Sequence, residues 1–460
     1  MGESRGRRLY DQLPAGLQDL ALTLFGIRNR ARLRAWSRIL ASFEASEYWT
    51  DDQQVEYVAE RLRTVLAHAV RYVPHHHDLA YLLPDLERGD SPVFEMLELF
   101  PPTRRSDVAR DPGAFISRAF DAGRLKAMHT SGTTGTPLTT WLEPRALLIG
   151  DALAWRRTIW AGFEDGYWIA RLVGDPVIPL SAKSPRRVFR VSWTDRRLYF
   201  STFHLSATTA PKMARALLSR RPAFLMGYPS ALDSFVRLCR DKVDLSPWKP
   251  RAVLFSSEPL YEHQREMIAG AIDAPQFGFY GCAERVVSAA QCAHGSYHLN
   301  LVDGFVEGQF GYRAAHEATY VTGLLNRAMP LVRYELGDTI TPLVGERCGC
   351  GRTLPVIDPV LTKLEDAVET PSGRSISPSS LTWAFKDLPR LRRSQIVQRT
   401  ATSLDVWLET DPEDFPRIRS TLEHRLDEML FHELRIEFHR KDDLELTRAG
   451  KSRFVISEIP

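Results

Sequence analysis

The sequence predicts an α/β fold, with a large N-terminal domain of mixed sheets and helices followed by a small α+β domain. Three observations carry that prediction. Apolar residues recur at three- and four-residue spacing through residues 16–70. Short β-rich runs alternate with helical ones from about residue 125 to 340. Beyond residue 378 the pattern is hairpin, helix and strand.

In chain order, "LRAWSRILASFEAS" and "VEYVAERLRTVLAHAV" read as helices with one apolar face. "PRAVLFSSEPL" offers an apolar strand at 252–255 ending in a polar turn, "YEHQREMIAGAI" a helix, and "QFGFYG" the next strand. Such alternation puts binding sites at strand ends. "VETPSGRSISP", residues 368–378, reads as a turn-rich boundary. After it, "SQIVQRTATSLDVWLET" predicts a hairpin, "FPRIRSTLEHRLDEML" an amphipathic helix and "LRIEFHR" a strand.

Composition narrows the function classes. The chain has 460 residues, 44% of them hydrophobic and 25% charged, which is ordinary for globular proteins. A net charge of +3, with arginines interspersed among acids, gives no basic stripe for nucleic acid. The first residues carry charge without an apolar core, so no secretory signal is expected, and "LALTLFGI" is far too short to span a membrane. Five cysteines make no disulfide scaffold, and a cytoplasmic enzyme is the expectation.

The chemistry begins at "MHTSGTTGTPLTTW". Small residues from Thr130 to Gly135 let backbone N–H groups close around an anion, and their hydroxyls add donors. The loop has no lysine, so it is not a Walker-type P-loop. "AGKS" near the C-terminus fails that pattern too, because Glu445 stands where its first glycine belongs. "FYGCAERVVSA" sets Tyr280, Gly281 and Glu284 after a strand, where a carboxylate suits magnesium. Asp338 sits in a Gly-Asp turn, placed to bridge ribose hydroxyls. Lys451 follows a glycine in a polar loop, where a cation can approach developing negative charge. Each is a common turn or surface pattern when taken singly.

Their order is not common. Hydroxyl-glycine loop, "SSEP", "YGCAE", "GD" and a terminal "GK" follow one another as in the adenylate-forming superfamily. The chain resembles more narrowly the phenylacetate–coenzyme A ligase-like family, in its capsule-biosynthesis branch. The resemblance runs from "YDQLPAGLQDL" and "RLRTVLAHAVRYVP" through "FLMGYPSALDSF" to "TGLLNRAMPLVRYELGD" and "RCGCGRTLPVI". It implies that Thr130, Ser131, Gly132, Thr133, Thr134 and Gly135 wrap the ATP phosphates. Ser257, Glu258 and Pro259 would line the adenine, closed by Tyr280 and Gly281. Glu284 would bind magnesium, Asp338 the ribose, and Lys451 would serve as the catalytic cation. His204 and Tyr228 fall beside the acyl pocket of similar proteins. The implied division is an ATP- and acyl-binding domain over 1–363 and a swivelling domain carrying the lysine over 364–460.

A second constellation needs no nucleotide. Cys292 and His298 form a C-x5-H pair, and Cys348 and Cys350 a C-x-C pair, a Cys3His set suited to a closed structural zinc site. His294 competes as ligand, but the resembling proteins place the histidine at His298. Buried reduced thiols are the plain alternative. "PHHHDL" is expected as a surface turn, since adjacent histidines point different ways. Cys239 and Cys282 are expected to pack.

One departure stands out. The family's hinge sequence G-R-x-x-D is replaced by Thr362, Lys363, Leu364, Glu365 and Asp366. Lys363 keeps the charge that grips phosphate and ribose but loses the planar fork, and threonine restricts the backbone where rotation is needed. The expected activity is an ATP-dependent, AMP-forming ligation of a carboxylic acid, aromatic on resemblance, to an acceptor. Coenzyme A is the first acceptor considered; an amine, a hydroxyl or a carrier protein would suit the altered hinge. The resemblance leaves room for a homodimer. From another class, a non-catalytic nucleotide-binding zinc protein is disfavoured, because Glu284, Asp338 and Lys451 are all present.

Overall fold

The structure, a computed structural model, describes residues 5–89, 91–129, 138–182, 185–312, 318–360, 366–385, 388, 390–442 and 454–459. The expectations for Thr130–Gly135, for Lys363 with its hinge neighbours 362–365, and for Lys451 fall outside the described residues.

The N-terminal helices lie where the periodicity puts them, Ala15–Ser42 and Asp51–Tyr72. The second starts at a capping box: Thr50 Oγ1 accepts from the Gln53 amide at 3.3 Å, and Gln53 Oε1 accepts from the Thr50 amide at 2.9 Å. Its buried stripe of Val58, Leu62, Leu66 and Ala69 packs against Leu86, Met96 and Phe305. No helix among the described residues is long and apolar enough to cross a membrane.

The site rests on a mostly parallel sheet. Its strands run in the order Arg190–Ser192, Arg197–Ser201, Ile169–Val173, Phe224–Gly227, Ala252–Phe255, Gln276–Phe277. Arg190–Ser192 is the antiparallel edge. Helices cover both faces, so the inner strands are buried almost residue for residue, and Ala252–Phe255 reads as a continuous apolar run. The helices Ala210–Arg220 and Pro229–Cys239 close one face over Leu198, Leu225 and Val253; Ala15–Ser42 and Pro144–Trp160 cover the other over Ile169, Phe224 and Leu254.

"QFGFYG" departs from expectation. It forms two strands in different sheets, Gln276–Phe277 and Phe279–Gly281. The break is Gly278, where a Cβ would fall 1.9 Å from the Tyr297 hydroxyl. Phe279–Gly281 then joins Ser288–Gln291, Tyr297–Leu299 and Val356–Ile357 in a second sheet.

The C-terminal segment is a sheet ordered Arg435–Lys441, Ser403–Glu409, Arg393–Thr400, Val455–Ser457, with the helix Phe415–Met429 packed on one face. Period-two Leu404, Val406 and Leu408 meet the helical stripe Ile418, Leu422 and Leu426, all buried. The stretch read as a boundary is instead a hairpin, Val368–Glu369 with Ser375–Ile376, whose Val368 and Ile376 enter this same core. The turn residues were recognised; the two apolar anchors flanking them were not.

"PHHHDL" is a second correction. Pro74–Leu82 is a 3-10 helix, and His76 within it is 1% exposed, edge-on to Phe100 at 5.5 Å. Burial pushes its imidazole down to about 3, so it is a neutral core residue. Only His75 and His77 face outward.

Candidate functional site

Strand ends build the site. After Ala252–Phe255 the chain turns through Ser257, whose φ of 72° lies in the left-handed region that non-glycine residues seldom occupy. That turn presents Ser257, Glu258 and Pro259 to a cavity of about 330 Å³, also lined by Tyr280, Gly281 and Asp338. Three segments separated in sequence thus meet in one place. The Tyr280 hydroxyl donates to Asp338 Oδ2 at 3.1 Å. Burial and the neighbouring Asp338 carboxylate hold that phenol far above its ordinary value, so it remains a donor. Gly281 has a steric reason: a Cβ there would meet the Phe279 ring at 2.8 Å.

Glu258 is anchored by the Ser230 amide, which donates to Oε2 at 3.1 Å, while Oε1 has no partner among the described residues. Burial raises its carboxyl. Tyr228, which caps the Pro229–Cys239 helix, is pushed up to about 12 by burial and neighbouring Asp175. It does not line the first cavity. Nor does His204. His204 is 1% exposed, edge-on to Phe431 of the C-terminal core at 5.3 Å, and burial lowers it to about 4. The structure places it in the seam between the two domains, near the Thr202–Ser380 hydroxyl pair at 2.8 Å.

Glu284 is 6% exposed. Its Oε1 accepts from Arg105 Nη1 at 2.7 Å and from the Tyr334 hydroxyl at 2.9 Å. Oε2 has no hydrogen-bond partner among the described residues, so one oxygen remains for a cation while the other is orientated. Arg105 and Tyr334 carry no motif of their own, and nothing in the sequence near Glu284 points to them.

A second cavity of about 260 Å³ shares Phe279 and Gly281 with the first. Its wall includes Met128, Leu142 and Ala146, apolar residues, together with Arg285 and Asp303. Asp303 is 4% exposed; Ser288 Oγ donates to its Oδ2, and Oδ1 has no partner among the described residues. Burial raises it to about 7, against the pull of Ser288 and Arg156. Sequence reading missed Asp303, because an aspartate before a glycine looks like any turn. Cys282, on the same wall, is pushed up to about 12 by burial, as is Cys239, so both thiols stay protonated.

The four predicted metal ligands converge. Donor atoms of Cys292, His298, Cys348 and Cys350 all lie within 4.8 Å of one another. Cys292 Sγ is 3.6 Å from Cys348 Sγ, and Cys350 Sγ is 3.5 Å from His298 Nε2. A tetrahedral zinc ion would separate sulfurs by about 3.8 Å and sulfur from nitrogen by about 3.5 Å. His298 Nδ1 donates to the Leu354 carbonyl at 3.1 Å, which leaves the Nε2 lone pair towards the sulfurs. His294, the competitor, is not in the cluster. Glu47 braces the knuckle, accepting from Arg352 Nε at 2.8 Å and Trp160 Nε1 at 3.0 Å.

Several known proteins are similar to this chain. The CapK C-terminal domain family matches residues 368–458. Protein CapK of Staphylococcus aureus is 22% identical over 375 residues, covering 78% of this chain and 80% of the relative. Phenylacetate-coenzyme A ligase of Thermus thermophilus is 23% identical over 363 residues, covering 75% and 78%. Among solved structures, 2-hydroxyisobutyryl-CoA ligase in complex with 2-HIB-AMP and CoA, in the thioesterification state, aligns with a TM-score of 0.54 at 18% identity, over 89% of this chain and 91% of that one. An open conformation of the same ligase aligns at 0.52 with 17% identity, over 89% and 93%. That likeness is one of fold, and it spans both domains. With the relatives and the C-terminal match, it sets the chain beside CapK and phenylacetate-coenzyme A ligase as a similar protein, with a fold like that of the solved ligase.

Proposed function

We propose that the protein is an AMP-forming acid ligase. The observation that carries this reading is the meeting of Ser257–Pro259, Tyr280 and Asp338 around one cavity, joined through Phe279 and Gly281 to a second that reaches Asp303. The nucleotide occupies the first cavity, its ribose hydroxyls against Asp338, and residues 130–135 are those the resemblance assigns to its phosphates. The acid occupies the second. A carboxylate oxygen forms a bond to the α-phosphorus, the bond to the bridging oxygen breaks, and pyrophosphate leaves with that electron pair. The acyl-adenylate then passes its acyl group to an acceptor, coenzyme A by likeness to the named relative and neighbour, and AMP departs.

The chain's own groups orientate and neutralise. Lys451 approaches the charge developing between carboxylate and phosphate; placed charge is normally the largest catalytic contribution. Glu284, orientated by Arg105 and Tyr334, is the residue that would hold magnesium, which supplies charge neutralisation on the phosphates. Cys292, His298, Cys348 and Cys350 would hold a structural zinc. Through these four residues the strand following Glu284 would be tied to the loop following Asp338. Apolar walls beside an unpartnered Asp303 oxygen suit a small acid, aromatic in line with the phenylacetate relative and bearing a hydrogen-bonding substituent.

The test is pyrophosphate release from ATP and magnesium with a panel of carboxylic acids, hydroxylamine trapping the adenylate. Acid-dependent release, lost in Lys451→Ala while ATP binding persists, is expected. ATP binding without release for any acid refutes ligation.

A further inference from the structure

A third cavity lies between the parallel sheet and its two covering helices. This layer is otherwise apolar, formed by Ile169, Phe224, Leu254, Leu153 and Leu40. Into it the sequence places arginines. Arg171 pairs in register with Tyr199 and Met226, and Arg197 stands two residues before Tyr199, so both project from the same sheet face. The helix Pro144–Trp160 adds Arg157 from above. The cavity measures about 300 Å³.

The charges along its wall do not balance. Arg32, Arg157, Arg171 and Arg197 line it against Asp151 and Asp195. Both carboxylates are already engaged: Asp151 accepts from Arg285 at 3.0 Å, and Asp195 accepts from Asn29 Nδ2 at 3.0 Å. Arg171 has an ion pair with Asp175 at 3.4 Å. Arg157 is 4% exposed and Arg197 6%, and neither makes an ion pair among the described residues. Arg157 Nε, Arg171 Nε and Arg197 Nη1 are buried without hydrogen-bond partners. Aromatic faces take part of the charge, with Arg197 5.5 Å from the Trp155 ring centroid and Arg157 5.2 Å from that of Phe279. Rings do not accept the orphaned N–H groups. A buried cation without a hydrogen-bonded counter-charge is costly, and two on one wall repel.

We propose that this cavity is an oxyanion site, taking a carboxylate or phosphoryl group on the unpartnered Arg171 Nε and Arg197 Nη1 donors. Guanidinium donors match the paired oxygens of either group. Trp36, Trp155 and Met226 on the same wall leave room for an apolar body behind the anion. The source is a free oxyanion or the anionic end of an organic acid. The site is separate from the two cavities of the proposed ligation and stands whether or not that reading does. Only Ala154 is shared with the second cavity.

The experiment is isothermal titration of the full chain at low ionic strength with inorganic phosphate, and separately with butyrate and its neutral counterpart butyramide. Saturable binding of phosphate, or of butyrate well above butyramide, is expected; the first outcome identifies a free oxyanion, the second an acid with an apolar body behind its anionic end. Arg197→Gln and Arg171→Gln should each weaken that binding about tenfold or more, as expected for a charged hydrogen bond. Arg171 is the more exposed of the two, so its variant keeps the comparison standing if Arg197→Gln does not fold. No saturable binding by the wild-type protein up to about 10 mM overturns the site. So does unchanged affinity in the Arg171 variant.

Discussion

Asp303→Asn removes a carboxyl that the fold favours in its protonated form, and its consequence is a change in the shape of the stability curve against pH. Asp303 is 4% exposed, with Arg156, Tyr57 and Cys282 as its charged or titratable neighbours. Burial lifts its carboxyl to about 7, against roughly 3.9 for an unfolded aspartate. Between about pH 4 and 7 the folded protein therefore binds more protons than the unfolded chain, and stability falls as pH rises through that window. Each tenfold change in protonation is about 1.4 kcal/mol, so this carboxyl alone lowers stability by on the order of 4 kcal/mol from pH 4 to 7 and by little more above. Asparagine keeps an acceptor for the Ser288 hydroxyl and does not titrate. Relative to wild type, Asp303→Asn should thus gain stability steadily from pH 4 to 7 and plateau beyond. Loss of a negative charge near buried Arg156 takes back part of the gain at the high end. Guanidinium midpoints followed by tryptophan fluorescence at half-unit pH steps measure the difference directly. Parallel curves for the two proteins would refute the argument, because they would mean that Asp303 titrates alike in both states.

Two further outcomes are expected. Cys348→Ser removes one of four converging donors. Zinc content by mass spectrometry should fall with thermal stability, by more than the roughly 10–100-fold in metal affinity that losing an outer-shell partner costs; full zinc retention would mean that the ligand set is wrong. Leu422→Ala, in the centre of the C-terminal helix–sheet core, should cost about 2–5 kcal/mol by denaturant unfolding while leaving zinc content unchanged.

Much of this molecule is legible in one dimension. The C-terminal domain follows from period-two apolar residues facing a helical stripe, Leu404, Val406 and Leu408 against Ile418, Leu422 and Leu426, since either pattern alone dictates which face is buried. The convergence of Cys292, His298, Cys348 and Cys350 is legible for a related reason: few cysteines, close spacing and chemistry that admits few residue types. Ser257–Pro259, Tyr280 and Asp338 are legible as an ordered series of motifs, each a short local stretch at or beside a strand end.

Other features depend on distance in sequence becoming proximity in space, and only the tertiary structure decided them. Arg105 reaches Glu284 across 179 residues, and Arg156 reaches Asn300 across 144. The break at Gly278 exists because Tyr297 crosses it, and His76 is a core residue because Phe100 returns to cover it. His204 stands in the domain seam because Phe431 is there. Asp303 and the orphaned arginines 157, 171 and 197 look in sequence like surface charges. Burial raised the one and left Arg157 and Arg197 without ion pairs among the described residues, and burial is a property of what packs on a residue, which its neighbours in the chain do not specify.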